Sequence, residues 1–349
     1  MSSLFGLLRR KPLPGAKPAA APALPAWAQP LFVSELAPRV EDAGEVLVWA
    51  IRDDPSTAVI SEQFEAKAGD YHQRYAASDH FEKLFRNGLA GTGIAVAERP
   101  LILDLGSGSG VNSVVPCMRL FPGARTIATD LSGELLSILA GYLRASGETE
   151  QVVCVQMDAM SNHVAEAAFD LVTGASILHH LERPQDGLSA AARALRPGGH
   201  AIFFEPFDGY GVMRLAYERI LSEARLRGDP LDPLVERVLG AMVIDAAART
   251  EPDPTTAAFK ALDDKWLFSR ERITAMATQA GFAQVRFVPH NDGPNLYQLI
   301  APIQLRLATG RSDLSLPDWA MDILKSFDAA LPPAFKRVAM MEGTIVLTK

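Results

Sequence analysis

A glycine-rich loop with acidic residues around it is the part of the sequence best suited to chemistry. Residues 103–110 read LDLGSGSG, with glycines at 106, 108 and 110, where a predicted strand turns into a helix. Without side chains, the backbone there can approach a ligand closely, and the helix N-terminus favours negative charge. The loop lacks the Gly-Lys-Ser/Thr of a P-loop, and Val111 and Ser113 stand where the dinucleotide fingerprint needs glycine or alanine. Because Ser113 is a near miss, a nicotinamide-dependent dehydrogenase stays an alternative.

Three acidic residues lie at or near the ends of the predicted strands around this loop. Asp104 stands just before the loop, Asp130 ends the strand RTIATD, and Asp158 ends the strand QVVCVQMD. The carboxyl ends of parallel strands meet at one edge of the sheet, where open α/β sheets bind ligands. There, Asp130 can accept hydrogen bonds from two ribose hydroxyls, and Asp158 can accept one from an adenine amino group. These acids suit a ligand that has a cationic centre and no phosphate.

Five segments around these residues resemble the class I S-adenosylmethionine-dependent methyltransferases. In chain order they are LDLGSGSG, ATDLS, QMDAM, FDLVTGASILHHL and ALRPGGHAIFFEP, and the resemblance covers roughly residues 70 to 205. It implies a three-layer α/β Rossmann-like fold, with a seven-stranded, mostly parallel sheet whose last strand is antiparallel. It also implies that the cofactor is S-adenosyl-L-methionine. The residues that it assigns to cofactor binding are Asp104, Gly106, Ser107, Gly108, Gly110, Asp130, Leu131, Asp158, Ala159, Gly174, Ala175 and, on a helix before the sheet, Tyr75.

Two histidines and a glutamate are the candidates for catalysis. Methyl transfer from a sulfonium is an in-line displacement, so the enzyme must align the nucleophile and, for a hydroxyl, remove its proton. His179 and His180 follow the fourth core strand, and a histidine with an ordinary pKa near 6.5 can act as that base. Since adjacent histidines point in different directions, we expect at most one of them to act. Glu205 ends the fifth core strand; a packing role is the alternative for all three residues.

The predicted elements divide the chain into a core and several added segments. In chain order, these are a disordered Pro- and Ala-rich leader (1–30), a helical cap (31–98), the cofactor-binding core (99–206), a helical insertion (207–265) and the rest of the core with a second insertion at 291–342 (266–349). Alternating apolar strands and helices predict a parallel sheet that is covered on both faces. The first insertion is expected to be a substrate lid or a contact in a homodimer.

Composition and missing motifs narrow the function. The formal net charge of −7 over 349 residues disfavours a dedicated nucleic-acid binder. At the N-terminus the basic residues follow a very short apolar run, unlike a secretory signal, and no stretch approaches the roughly 20 apolar residues of a membrane span, so we expect a cytoplasmic protein. Residues 174–177 read GASI, where methyltransferases of base amines or glutamine amides carry Asn/Asp-Pro-Pro-Tyr/Phe. The sequence shows no carboxylate cluster that would predict a divalent metal site.

The sequence therefore predicts an enzyme that transfers a methyl group to an oxygen or nitrogen atom of a small-molecule metabolite. One alternative is a catalytically silent methyltransferase-like module that binds a partner through its helical insertions. The other is the NAD-dependent dehydrogenase. The intact loop and its three acids argue against loss of the cofactor, and the loop sequence argues against the dehydrogenase.

Overall fold

A nine-stranded sheet is the centre of the described part of the chain. The computed structural model describes residues 23–41, 45–52, 64, 67–75, 79–161 and 163–349. The strands are β1 (Leu36–Glu41), β2 (Glu45–Ile51), β3 (Leu101–Leu105), β4 (Arg125–Asp130), β5 (Val152–Gln156), β6 (Phe169–Ala175), β7 (Leu195–Pro206), β8 (Gln284–Pro289) and β9 (Glu342–Thr348). Their order across the sheet is β1-β2-β5-β4-β3-β6-β7-β9-β8.

Seven of these strands form the predicted core sheet. From β5 to β7 all neighbours are parallel, and β9 is antiparallel to both β7 and β8. This arrangement confirms the expected Rossmann-like methyltransferase fold. The central strands are continuous apolar runs because helices cover both faces of the sheet. The classic dinucleotide-binding sheet has the order 3-2-1-4-5-6, whereas here the antiparallel β9 lies between β7 and β8, the fifth and sixth core strands. This difference counts against the dehydrogenase.

The hairpin of β1 and β2 corrects the prediction of a helical cap over residues 31–98. Strand β2 lies parallel to β5, with Val48 opposite Cys154, and Val48 is fully buried. The run EVLVWAI is long enough for a strand but too short for a helix of its own. Helices form only after it, as α1 (Ala68–Tyr75) and α2 (His80–Thr92).

The end of the predicted disordered leader is packed against the core. Ala28 is fully buried, and Leu31 ends a short 3-10 turn in contact with the same apolar cluster. The indole nitrogen of Trp27 donates to the carbonyl of Glu150 at 3.0 Å. The prediction of disorder up to residue 30 is therefore wrong for 23–30, because their apolar side chains find partners that composition does not indicate. Residues 1–22 lie outside the described part.

Helices cover the sheet and fill both predicted insertions. The helices after β3 are α3 (Val114–Leu120), α4 (Gly133–Ser146), α5 (Pro184–Ala194), α6 (Tyr210–Arg227), α7 (Pro233–Thr250), α8 (Ala257–Lys260), α9 (Arg270–Ala280), α10 (Leu296–Thr309), α11 (Asp318–Ala330) and α12 (Pro333–Val338). Ser132 caps α4, since its hydroxyl accepts from the amide of Leu135 at 3.1 Å. Within the described residues, no helix combines the length and the apolar character that a membrane crossing requires.

The two insertions build one helical layer with its own core. Helices α6, α7, α10 and α11 pack together around Tyr217, Tyr297 and other apolar side chains. A buried ion pair, Lys336 Nζ to Asp328 Oδ1 at 2.8 Å, lies beside this core. Because Asp328 also accepts from the amide of Tyr297 at 3.1 Å, it fixes the start of α10.

Candidate active site

A cavity of about 490 Å³ lies at the carboxyl ends of β3, β4, β5 and β6. This volume lies within the range of small-molecule sites. The glycine loop, the two strand ends that follow it and the turn after β6 line one part of it. The segment 260–265, which ends the first insertion, lines another. The predicted cofactor residues that line the cavity are Gly106, Ser107, Gly108, Asp130, Leu131, Asp158, Ala159 and Ala175.

The glycine loop needs its glycines for close packing as well as for access. Gly106 has a φ of 65°, and a Cβ there would lie 2.5 Å from Cδ1 of Ile177. Gly110 has a φ of 79°, and its Cβ would lie 2.4 Å from Cδ1 of Leu139 on α4. Side chains at either position would both strain the backbone and collide. Gly110 thus brings the loop against α4 and does not line the cavity.

Two carboxylates at the strand ends are held in position by backbone amides. Asp130 Oδ2 accepts from the amide of Gly108 at 2.7 Å, and its Oδ1 accepts from the amide of Ser132 at 2.8 Å. Asp158 Oδ1 accepts from the amide of Met160 at 2.8 Å. A carboxylate has room for about four hydrogen bonds, so orientation by backbone amides is compatible with binding of ligand hydroxyl or amino groups.

Asp104 faces the interior of the domain instead of the cavity. It is fully buried and accepts from the hydroxyls of Ser113 at 2.7 Å and Thr173 at 2.5 Å. Burial raises the pKa of this carboxyl to about 6, although the hydroxyl donors oppose the rise. The expected ligand contact of Asp104 is therefore corrected: it connects β3 to β6 and to the start of α3 beneath the loop.

Gly174 is a further predicted cofactor residue that is absent from the cavity wall. Gly174 lies behind it, where a Cβ would come within 2.7 Å of the side chains of Ile177 and Phe203. Its missing side chain makes room for Ile177, which does line the cavity. Tyr75 is the last residue of α1, and its side chain lies outside the described part of the structure.

Glu205 and His179 form a buried pair next to the cavity and do not line it. His179 Nδ1 lies 2.6 Å from Glu205 Oε2, and its Nε2 lies 3.6 Å from Asp264 Oδ1. Glu205 also accepts from the amides of Ile177, Leu178 and His179 at 2.7–3.2 Å. Burial lowers the pKa of His179, but the two carboxylates outweigh it and raise the pKa to about 9. A protonated imidazole between two acids has no lone pair to accept a proton, so neither His179 nor Glu205 is placed to act as a base.

His180 is the predicted catalytic residue that does line the cavity. Its Nδ1 lies 2.9 Å from the carbonyl oxygen of Asp263, and a carbonyl can only accept, so Nδ1 carries the proton. Burial and, to a smaller extent, the neighbouring cation of His179 lower the pKa of His180 to about 4. His180 is therefore neutral at neutral pH, with the lone pair on Nε2. The two adjacent histidines are thus in opposite states.

Asp264 belongs to the site although no sequence motif includes it. Its Oδ2 lies 3.3 Å from Nη1 of Arg249, while its Oδ1 faces both histidines. Burial favours the neutral acid, but His179 and the other cationic partners hold the pKa of Asp264 well below its ordinary value. Only the return of segment 260–265 over the sheet edge brings this acid to the histidines, and no local pattern indicates that return.

Three of these side chains also have the spacing of metal ligands. In the described residues, His179, His180 and Asp264 offer ligand atoms within 4.8 Å of one another. However, His179 already lies between two carboxylates, and the guanidinium of Arg249 already forms an ion pair with Asp264. A second cation there would be repelled by Arg249, so the cluster is better suited to a chain of charged hydrogen bonds.

The charges around the cavity suit a cationic ligand. The carboxylates that line it are Asp130, Asp158, Glu182 and Asp263, and the ammonium groups are Lys260 and Lys265. The four acids outnumber the two amines. Because opposite charges attract more strongly in a partly buried cavity than in water, the site favours a sulfonium or ammonium group over a phosphate.

Together, the sheet topology, the glycine loop and the acidic strand ends define the class I methyltransferase fold and its ligand site. Residues 103–203 match the family model described as a methyltransferase domain. This part of the chain is therefore similar to the class I S-adenosylmethionine-dependent methyltransferases.

Individual relatives are similar over part of the chain. A ubiquinone biosynthesis O-methyltransferase of Idiomarina loihiensis is 30% identical over 102 residues, 29% of this chain and 40% of that protein. A release factor glutamine methyltransferase of Chlorobaculum tepidum is 39% identical over 87 residues, 24% of this chain and 29% of that protein. The chain thus spans less than half the length of these curated relatives. A putative sarcosine dimethylglycine methyltransferase of Galdieria sulphuraria superposes with a TM-score of 0.48 at 13% identity, over 81% of this chain and 98% of that one.

Proposed function

We propose that this protein transfers the methyl group of S-adenosyl-L-methionine to an oxygen or nitrogen atom of a small molecule. The observation that carries the proposal is one cavity in which the glycine loop, Asp130, Asp158 and His180 meet. One relative is named a ubiquinone biosynthesis O-methyltransferase, and this name indicates a small-molecule substrate. The glutamine-methylating relative is a weaker guide to the acceptor, because residues 174–177 lack the Pro-Pro motif of such enzymes.

The residues that would hold the cofactor are those with matching hydrogen-bond chemistry. Asp130 would accept from the ribose hydroxyls and Asp158 from the adenine amino group. The backbone of Gly106 and Gly108 would contact the methionine part, and the excess of carboxylates would offset its positive charge. When bound, S-adenosyl-L-methionine supplies a methyl group on a sulfonium, from which the neutral thioether is a good leaving group.

His180 would orient the acceptor. Its Nε2 would accept a hydrogen bond from a hydroxyl or amine, so that the acceptor lone pair stays directed at the reaction centre. The low pKa of His180 makes it a weak base. Its contribution is therefore alignment of the nucleophile more than strong proton abstraction, and Glu205 and His179 act as positioning residues behind it.

Calorimetric titration tests cofactor binding. The wild-type protein should bind S-adenosylmethionine and S-adenosylhomocysteine at micromolar concentrations and should not bind NAD. Asp130→Asn keeps the side-chain size but loses the charge, and we expect at least tenfold weaker binding. Glu150→Ala, at an exposed position away from the cavity, is the matched control and should bind normally. Binding of NAD alone would favour the dehydrogenase, and no binding of any of the three would favour the silent module.

Turnover tests the role of His180. With labelled cofactor and a panel of phenols, alcohols and amines, we expect His180→Gln and His180→Ala to misalign the acceptor and to lower kcat by about a hundredfold. The dissociation constant for S-adenosylhomocysteine should change little. His200→Gln, a substitution on β7 outside the cavity wall, should leave both quantities unchanged. If both His180 variants turn over at the wild-type rate, His180 has no part in the reaction.

A further inference from the structure

Arg249 joins the first insertion to the segment that carries Asp264. It lies near the end of α7, is only 7% exposed, and its Nη1 contacts Asp245 on the same helix at 3.0 Å. The same nitrogen lies 3.3 Å from Oδ2 of Asp264, and Nη2 donates to the carbonyl of Trp266 at 3.2 Å. A planar guanidinium that is buried and paired on its own helix has little freedom to move. It is therefore a fixed point for the segment that it contacts.

Asp263 and Asp264 have little main-chain support of their own. Within the described part of the chain, neither of their amides donates a hydrogen bond to the main chain, whereas the amide of Lys265 donates to the carbonyl of His179 at 2.8 Å. The side chain of Asp264 is 43% exposed, so water competes for its carboxylate. The position of this pair of residues thus depends on the contacts that the carboxylate makes, and Arg249 provides the most firmly fixed of them.

The contact of Arg249 with Trp266 is less decisive. Trp266 is almost fully buried, and its indole nitrogen donates to the carbonyl of Leu181 at 2.8 Å. The amide of Leu267 donates to the carbonyl of Arg249 at 3.0 Å, a main-chain bond that a change of side chain leaves intact. Trp266 is therefore held in place without the guanidinium, and Asp264 is the residue whose position depends on it.

The positions of Asp263 and Asp264 determine the tautomer of His180. The carbonyl oxygen of Asp263 lies 2.9 Å from Nδ1 of the imidazole, and Oδ1 of Asp264 lies 3.4 Å from the same nitrogen. A carbonyl and an ionised carboxylate can only accept a hydrogen bond. Together they keep the proton of the neutral imidazole on Nδ1 and leave the lone pair on Nε2. If both acceptors move away, this preference is lost.

We propose that Arg249 is a positioning residue for His180. It holds Asp264, and with it the carbonyl of Asp263, against Nδ1 of the imidazole. Nε2 then stays free to accept a hydrogen bond in the cavity at the strand ends. Arg249 does not line that cavity, so it acts only through the segment that it contacts. The effect on the tautomer requires no acceptor molecule; only its consequence for methyl transfer rests on the proposed function.

Nuclear magnetic resonance of the imidazole nitrogens at neutral pH tests this role. In the full-length protein with isotope-labelled histidine, the chemical shifts show which nitrogen carries the proton, and His180→Gln identifies the signals. The wild-type protein should favour the proton on Nδ1 about tenfold, as expected for a hydrogen bond of ordinary strength. Arg249→Gln should lower this ratio about fivefold or more, and Arg249→Lys, which keeps the charge, should restore most of it. Arg237→Gln, at an exposed position of α7, is the matched control and should show the wild-type ratio.

A variant of Asp264 separates positioning from a general loss of stability. Asp264→Ala changes a partly exposed side chain and should lower the ratio as much as Arg249→Gln does. Because Arg249 acts through Asp264, the double variant should match Asp264→Ala alone. None of these measurements uses the cofactor or an acceptor, so their outcome is separate from that of the methyl-transfer proposal.

Three results would overturn the proposal. They are a proton on Nε2 of His180 in the wild-type protein, a wild-type ratio in Arg249→Gln, and a further loss when Arg249→Gln is added to Asp264→Ala. Thermal unfolding of each variant checks the fold. If Arg249→Gln does not fold, Asp264→Ala decides the question, because a wild-type ratio in that variant contradicts the role of the carboxylate through which Arg249 acts.

Discussion

The buried His179 pair predicts that the protein loses stability as the pH rises above neutrality. In the folded protein Glu205 and Asp264 raise the pKa of His179 from an ordinary 6.5 to about 9, against the effect of burial. A group whose pKa is higher in the folded state binds its proton more tightly there. Its contribution to stability is therefore complete below pH 6.5 and is lost as the pH rises from 6.5 through about 9.

The size of this effect follows from the same two values. Each tenfold change in proton affinity corresponds to about 1.4 kcal/mol, so a rise from 6.5 to about 9 corresponds to about 3 kcal/mol. The other perturbed groups in this cluster affect different ranges. Asp264 matters below its ordinary pKa near 3.8, and His180, whose pKa is lowered by burial, matters below 6.5. The range from pH 6.5 to 8.5 thus reports mainly on His179.

Urea unfolding at half-unit steps between pH 6.5 and 8.5 measures this loss. The wild-type free energy of unfolding should fall by about 2 kcal/mol over this range, which is most of the total loss expected from His179. His179→Gln, which cannot titrate, should be less stable at pH 6.5 and show a much flatter profile. His163→Gln, in the loop after β5, should keep the wild-type slope. A wild-type stability that stays constant or increases over this range would refute the assigned charge of His179.

Two further stability predictions follow from packing and from a buried charge. Gly110→Ala should destabilise the protein by about 1–3 kcal/mol in denaturant unfolding, because the new Cβ collides with Leu139 and the backbone has a positive φ. The control Gly141→Ala, on α4 with open space around it, should change stability by about 1 kcal/mol or less. Equal losses in both variants would contradict the collision. Asp328→Ala should cost about 3–5 kcal/mol because it leaves the fully buried Lys336 without its counter-ion, and a loss below about 1 kcal/mol would contradict that reading.

The sequence predicts the sheet core well because each of its elements has a local signature. The strands β3 to β7 are apolar runs between helical patterns, and the glycine loop marks the first of the turns between them. The β1–β2 hairpin has a signature too, in the run EVLVWAI, but the helical spacing of residues 60–89 favours a helical interpretation of the whole of 31–98. Sheet membership of β2 depends on pairing with β5, about a hundred residues away, which local spacing does not indicate.

The candidate site is predicted to a different extent for each kind of residue. Backbone-dominated positions such as Gly106 and Gly108 follow from the loop sequence, since the strand–turn–helix geometry determines where they lie. Asp104 shows the limit: sequence indicates that an acid stands near a strand end, but the direction of its side chain depends on partners elsewhere. Here Ser113 and Thr173 are those partners, and they hold the carboxylate inside the domain.

The two histidines show why protonation states are beyond local sequence reasoning. In sequence, His179 and His180 are equivalent candidates for a base. Their different states come from Glu205 on β7 and from residues 263 and 264 of the segment that follows α8, which lie 25 to 85 positions away. One carboxylate on each side makes His179 a cation. Burial and this cation keep His180 neutral, and the backbone carbonyl of Asp263 fixes its tautomer. The position of segment 260–265 is therefore a condition for the neutral state of His180, and an acceptor that moves this segment would change the protonation of both histidines.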